Sequence, residues 1–139
     1  MAKKLNTLRK RPTRQELRDL DLEILFLSGV VRRDPTYVEA LQILGDDYTR
    51  RGRFPEGLKV DELLCKLRPD DSLVYYNLAC SYSLTDQFDL AAQALESSLN
   101  LGYRDFKWMA QDPDLKNLRE HAEYKKIRMK VRQLQVKTR

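Results

Sequence analysis

Histidine is all but missing from this chain, which holds one, and tryptophan (one), cysteine (two) and glycine (five) are scarce. The lone imidazole, His121, sits beside Glu120 and Ala122 at an expected helix start. It has no second histidine with which to share a metal, so a surface or capping role suits it better than general-base work. Cys65 and Cys80 stand fifteen residues apart, which with one histidine is no metal-ligand pattern. There is no glycine-rich phosphate loop and no nucleophile elbow. The chain is therefore expected to be no enzyme and to need no cofactor or metal.

Long apolar runs are missing as well. Residues 22–31 follow a basic start as a leader's apolar stretch would, but Glu23 interrupts them and Asp19 and Asp21 crowd their beginning. No small-x-small cleavage site follows, and the run is too short to span a bilayer. No membrane association is expected, and the default compartment is the cytoplasm, where both cysteines stay reduced.

The 139 residues, 42% apolar, suit one domain with one core. The net charge of +5 hides an uneven distribution. Residues 1–18 carry seven Lys or Arg against one acid, residues 125–139 carry seven against none, and the residues between carry 12 against 20. Residues 1–12 are charged, lack periodicity and end at Pro12, so they read as a flexible basic arm. Thr13 and Glu16 then form a capping box, and Leu17, Leu20, Ile24, Leu27 and Val31 follow on one helical face. Leu22, Leu25 and Phe26 widen that face until burial between neighbours on both sides is expected.

The strongest signal is a repeat. At an offset of 34 residues Pro35 falls on Pro69, Leu41 on Tyr75, Leu44 on Leu78, Gly45 on Ala79, Tyr48 on Tyr82, Phe54 on Phe88, Gly57 on Ala91 and Leu67 on Leu101. Large meets large and small meets small. Within each unit the apolar positions recur at helical spacing, broken in the first by Arg51-Gly52, so each unit is a helical hairpin. Gly45 and Ala79 are small where the second helix of the hairpin crosses the first at close range. Thr36, Asp70-Asp71 and Asp105 read as helix-start residues, which accounts for the paired aspartates better than a catalytic dyad does.

A 34-residue helix-turn-helix period with Leu-Gly or Leu-Ala before Tyr, a small residue early in the second helix and Pro at the junction resembles the tetratricopeptide repeat. Asp61, where that family has a large apolar residue, Leu64, where it prefers Ala, and Tyr103, in place of the second junction Pro, depart from the pattern. The resemblance implies an all-α, right-handed α-solenoid of about six to eight helices. A capping helix would cover 13–33, the repeats 36–69 and 70–103, and an atypical closing unit 104–136, leaving a tail at 137–139. Phe106, Trp108, Met109, Leu115 and Leu118 supply apolar surface to seal the last hairpin, and Tyr124, Ile127, Val131 and Leu134 form one face of a final helix.

In the family the first helix of each hairpin lines a concave, peptide-binding face. Carried over by position, this face comprises Glu39, Gln42, Asp46, Thr49 and Arg50 from the first unit, Leu73, Tyr76, Asn77, Cys80 and Leu84 from the second, and Lys107 at the far edge. Asn77 and Lys107 are possible remnants of a carboxylate clamp, but Asp46 would repel a carboxylate. Glu39 and Asp46 beside Leu73 and Tyr76 suit a peptide with basic and apolar residues instead. The implied function is non-enzymatic protein–protein interaction with a peptide or helix of a partner. A solvated face without a partner and a Cys80 that is merely a small buried residue are the plainer alternatives. The competing function is electrostatic association with RNA, ribosome or an acidic protein through Lys3, Lys4, Arg9, Lys10, Arg11 and Arg14, and Lys125, Lys126, Arg128, Lys130 and Arg132. No aromatic residues interleave those runs, so sequence-specific nucleic-acid reading is not expected.

Overall fold

The structure, a computed structural model, describes residues 11–137, with nothing said of the side chain of residue 137. Among the described residues the chain is all-α, with eight α-helices and one 3-10 turn packed as consecutive antiparallel pairs, and it has no strand. None of these helices is long and apolar enough to cross a membrane.

Helix α1 (Arg14–Arg33) begins at the expected capping box, in which Thr13 Oγ1 accepts from the Glu16 amide at 3.1 Å and Glu16 accepts from the Thr13 amide at 3.0 Å. Helices α2 (Val38–Arg51) and α3 (Phe54–Leu67) make the first hairpin, and α4 (Ser72–Leu84) and α5 (Phe88–Asn100) the second. The two hairpins turn alike. Gly52 (φ 84°) and Asp86 (φ 58°), 34 residues apart, hold the left-handed position, and the next amide returns to a helical carbonyl, Arg53 to Tyr48 at 2.8 Å and Gln87 to Tyr82 at 2.9 Å. Such a turn closes orphan carbonyls at a helix end. Asp71 and Asp105 cap α4 and α6 (Phe106–Met109) as expected. Thr36 does not cap α2: Tyr37 holds that position without a side-chain bond, and the Thr36 hydroxyl donates to Asp34 instead.

Gly45 is small for the reason its spacing suggests. A Cβ there would meet Val60 Cγ1 and Asp61 Oδ1 of α3, each at 3.2 Å, and one on Gly57 would meet Thr49 Oγ1 at 3.2 Å, so α2 and α3 cross in near contact. Ala79 and Ala91 take the same places in the second hairpin, fully buried. Asp61, the polar departure from the repeat pattern, is buried and accepts from Ser81 Oγ of α4, tying one hairpin to the next.

The core has two lobes. Ile24, Leu27, Leu41, Leu44, Val60, Leu64 and Val74 fill the first. The second gathers Ala79, Leu95 and Leu99 with the closing residues Trp108, Met109, Leu115, Leu118, Tyr124 and Ile127. The closing unit consists of α6, a 3-10 turn at Pro113–Leu115, α7 (Lys116–Arg119) and α8 (Tyr124–Lys137). It seals the second hairpin: the turn and α7 lie on α4, and α8 lies on α5. The other end differs from expectation. Leu22, Leu25 and Phe26 of α1 are 66%, 72% and 69% exposed, because among the described residues the neighbour of α1 is α2, which meets the side carrying Leu20, Ile24 and Leu27.

Candidate interaction surface

Helices α2 and α4 are the first helices of the two hairpins, and the repeat pairs their faces. Gln42, Asp46 and Thr49 of α2 correspond, 34 residues on, to Tyr76, Cys80 and Ser83 of α4. The spacings of four and three place each trio on one helical face. Their environments are opposite. The α2 trio is half-buried, with Glu39 and Arg50 exposed at its two ends, whereas Tyr76, Cys80 and Ser83 are all buried.

What buries the α4 trio is the protein's own closing segment. Tyr76 donates its hydroxyl to Asp112 Oδ2 at 2.8 Å, the Cys80 thiol approaches the same oxygen at 3.8 Å, and Ser83 Oγ accepts from the Leu118 amide at 3.3 Å. Asp112 is 1% exposed, and its second oxygen accepts from the Asp114 amide at 3.0 Å. The Tyr76 ring stacks on Tyr103, with centroids 4.4 Å apart and planes at 19°. Burial first, then the neighbouring Cys80 and Asp112, drives the Tyr76 hydroxyl far above its ordinary pKa, so it remains a donor.

The expected site therefore divides. Tyr76, Asn77 and Cys80 are not open to a partner, Leu73 packs partly buried against the second lobe, and Leu84 is half-buried. The repeat reading extended the concave face across α4 because it treated the closing unit, 104–136, as an end seal, whereas residues 112–118 of that unit also fold onto this face. Lys107 is exposed on α6, its carbonyl accepting from Gln111. What stays open is the α2 side, from Glu39 through Gln42, Asp46 and Thr49 to Arg50. At the C-terminal end of α2, beyond Glu39, Gln42 and Asp46, a cleft of about 330 Å³ is walled by Arg11, Pro12 and Leu17 before and along α1, Thr49, Arg50 and Arg51 of α2, Gly52, Phe54 of α3 and Asp114 of the closing segment.

Asp47 was not foreseen. It lies on the side of α2 that meets α1 and is 2% exposed, with Oδ2 lacking a hydrogen-bond partner. Burial, then a hydrogen bond and charge repulsion from Glu23 of α1, push its carboxyl up to about 8. Its counterpart in the second unit, Ser81, reaches back to the preceding helix in the same way, to Asp61.

Of the basic segments, Lys3, Lys4, Arg9 and Lys10 lie outside the described residues. Arg11 and Arg14 are exposed, and Arg11 helps wall the α2 cleft. On α8, Lys126 pairs with Glu123 at 2.7 Å, and Arg128 lies over the Tyr124 ring while donating to the Arg119 carbonyl. Lys125 and Arg132 are exposed and Lys130 is half-buried. His121 accepts from the Glu123 amide at 3.1 Å and stacks on Phe88, with centroids 4.5 Å apart.

A chloroplastic protein from Arabidopsis thaliana is 35% identical to this chain over 83 residues, which is 58% of this chain and 25% of that protein. The two are distantly homologous over that part. The chain spans about a quarter of the length of this curated relative. No family model matches the chain.

Proposed function

We propose that the two hairpins are tetratricopeptide repeats and that the chain is a non-enzymatic interaction module, holding a peptide or helix of a partner protein against the open face of α2. One observation carries this reading: the equivalent face of α4 is occupied by the chain's own closing segment, residues 112–118 of the 3-10 turn and α7, with Tyr76 donating to Asp112 and Ser83 accepting from the Leu118 amide. A surface that takes a stretch of its own chain on one hairpin has the shape to take a foreign one on the next. Glu39 and Asp46 select a segment with basic and apolar residues, and the same negative charge counts against a carboxylate clamp.

The test is affinity capture with nuclease treatment, followed by titration of the purified partner. Asp46→Lys should weaken binding by about tenfold or more, in the range found for charge reversal at an interface, while removal of residues 1–10, which leaves Arg11 and Pro12 of the cleft in place, leaves it unchanged. The competing function, electrostatic association of the basic segments with RNA or the ribosome, predicts the reverse. Binding would then survive Asp46→Lys but fall steeply between about 50 and 200 mM salt. That outcome would retire the α2 face.

The compartment is a proposal of the same standing. A cytoplasmic module suits the chain, and the relative's name sets a plastid beside it. A fluorescent fusion of the whole protein distinguishes the two.

A further inference from the structure

The outer side of α1 carries the three most exposed large apolar side chains among the described residues, and they are organised. Leu22, Leu25, Phe26 and Gly29 recur at helical spacing along one face, and the first three are 66%, 72% and 69% exposed. Glycine in a helix interior is unfavourable without a packing reason, and a Cβ on Gly29 would meet nothing within 4 Å. Nothing described in this chain accounts for glycine there, whereas a helix crossing α1 at close range would.

The repeat says where such a helix belongs. α1 ends 34 residues before α3, with Asp34 bonding back to Val30 as Arg68 does to Leu64. It thus holds the place of the second helix of a hairpin, and no first helix stands before it among the described residues. In this register Phe26 corresponds to Val60, the residue wedged against Gly45 of α2. Leu22 and Leu25 correspond to Glu56 and Lys59, so two positions that are polar one repeat later are leucine here. A helix face left to solvent is normally polar. This one is the opposite.

Charge narrows the occupant. Arg14, Arg18 and Arg32 fall on the same helical line as Leu25, along one edge of the stripe, and all three are exposed. We propose that the outer face of α1 docks an amphipathic helix of another protein that carries Glu or Asp along one edge, seated on α1 as α2 is seated on α3. A second copy packed antiparallel would set Arg18 against the copy's Arg32 and Arg33. Residues 1–10 bring Lys3, Lys4, Arg9 and Lys10 and no acid. An anionic bilayer would meet Asp19 and Asp21 beside the stripe. Each fits the basic edge worse than an acidic helix does.

The probe is a stapled, fluorescein-labelled helix of about eighteen residues, with Leu and Ala on one face and Glu along an edge, titrated against the full chain beside a Lys-for-Glu version. The acidic probe should bind at least about tenfold more tightly than the basic one. Leu22→Ser with Phe26→Ser should remove most of that binding, and Arg18→Glu with Arg32→Glu should reverse the preference. Asp46→Lys should change nothing, which separates this surface from the α2 face. The substituted residues of α1 are exposed, so far-UV circular dichroism of those variants should be unaltered. Four results would overturn the proposal: equal or no binding of the two probes; a sedimenting dimer that the Leu22/Phe26 variant converts to monomer; co-sedimentation with anionic vesicles lost in that variant; or probe binding seen only after residues 1–10 are removed.

Discussion

Asp112→Ala isolates the contact that holds the closing segment on α4. The carboxylate accepts the Tyr76 hydroxyl at 2.8 Å and the Asp114 amide at 3.0 Å inside a site where Asp112 is 1% exposed. A hydrogen bond to a charged group contributes about 1.5–3 kcal/mol, and here a buried hydroxyl is also left without its acceptor. Taking one such bond as the lower bound, the local opening that lifts residues 112–118 from α4 becomes easier by about 1.5–3 kcal/mol, roughly ten- to 150-fold in the opening equilibrium. Cys80, buried beneath the segment at 2% exposure, reports that opening. Maleimide labelling followed by peptide mapping separates it from Cys65, whose thiol burial pushes up to about 12. The labelling rate of Cys80 should rise by that factor while Cys65 changes little. Two results would refute the reasoning: a Cys80 rate within about twofold of wild type, or a wild-type Cys80 that labels as fast as an exposed thiol.

Two further outcomes follow from side chains already described. The Asp47 carboxyl, raised from 3.8 to about 8 in the folded chain, binds its proton more tightly there than when unfolded. The contribution of Asp47 to stability is therefore fully present at low pH and is lost as pH rises from about 4 to about 8; in urea unfolding Asp47→Asn should remove that component of the pH dependence, gaining about 1–3 kcal/mol at the alkaline end. At the matched turns, Asp86→Gly should stabilise by about 0.5–1 kcal/mol and Gly52→Ala should destabilise by about 1–2 kcal/mol, both seen in the same unfolding assay, because only glycine holds a left-handed φ without cost.

The hairpins were legible because each depends on short-range rules repeated in register. The close crossing at Gly45, the turn at Gly52 and the Thr13 and Asp71 caps are all local or one crossing apart. The candidate face was legible on α2 and illegible on α4. Nothing periodic in residues 104–123 says that Asp112 will reach Tyr76, 36 residues back. Asp47 was missed for a related reason, since a reading based on apolar spacing passes over a charge. Its alignment with Ser81 was the available signal. Both positions face the second helix of the preceding unit, and in both a polar group reaches across: Asp47 to Glu23, Ser81 to Asp61.

The two ends of the array are finished by different physics, and the difference bears on where partners can act. At the C-terminal end Trp108, Met109, Leu115, Leu118 and Ile127 are each buried against the second hairpin. Each such burial contributes about 1.5–3 kcal/mol, so this seal is costly to displace and the α4 face beneath it stays closed at equilibrium. At the other end α1 buries one side only and leaves three large residues in water, forgoing stabilisation of the same order per residue. A partner that covered them would gain it without first displacing any described part of the chain. The α2 face lies between these extremes: half-buried, polar and bordered by Asp114 of the seal. A ligand there competes with solvent instead of with the core, so its affinity rests on charge and hydrogen bonding and should be more sensitive to salt than binding at α1.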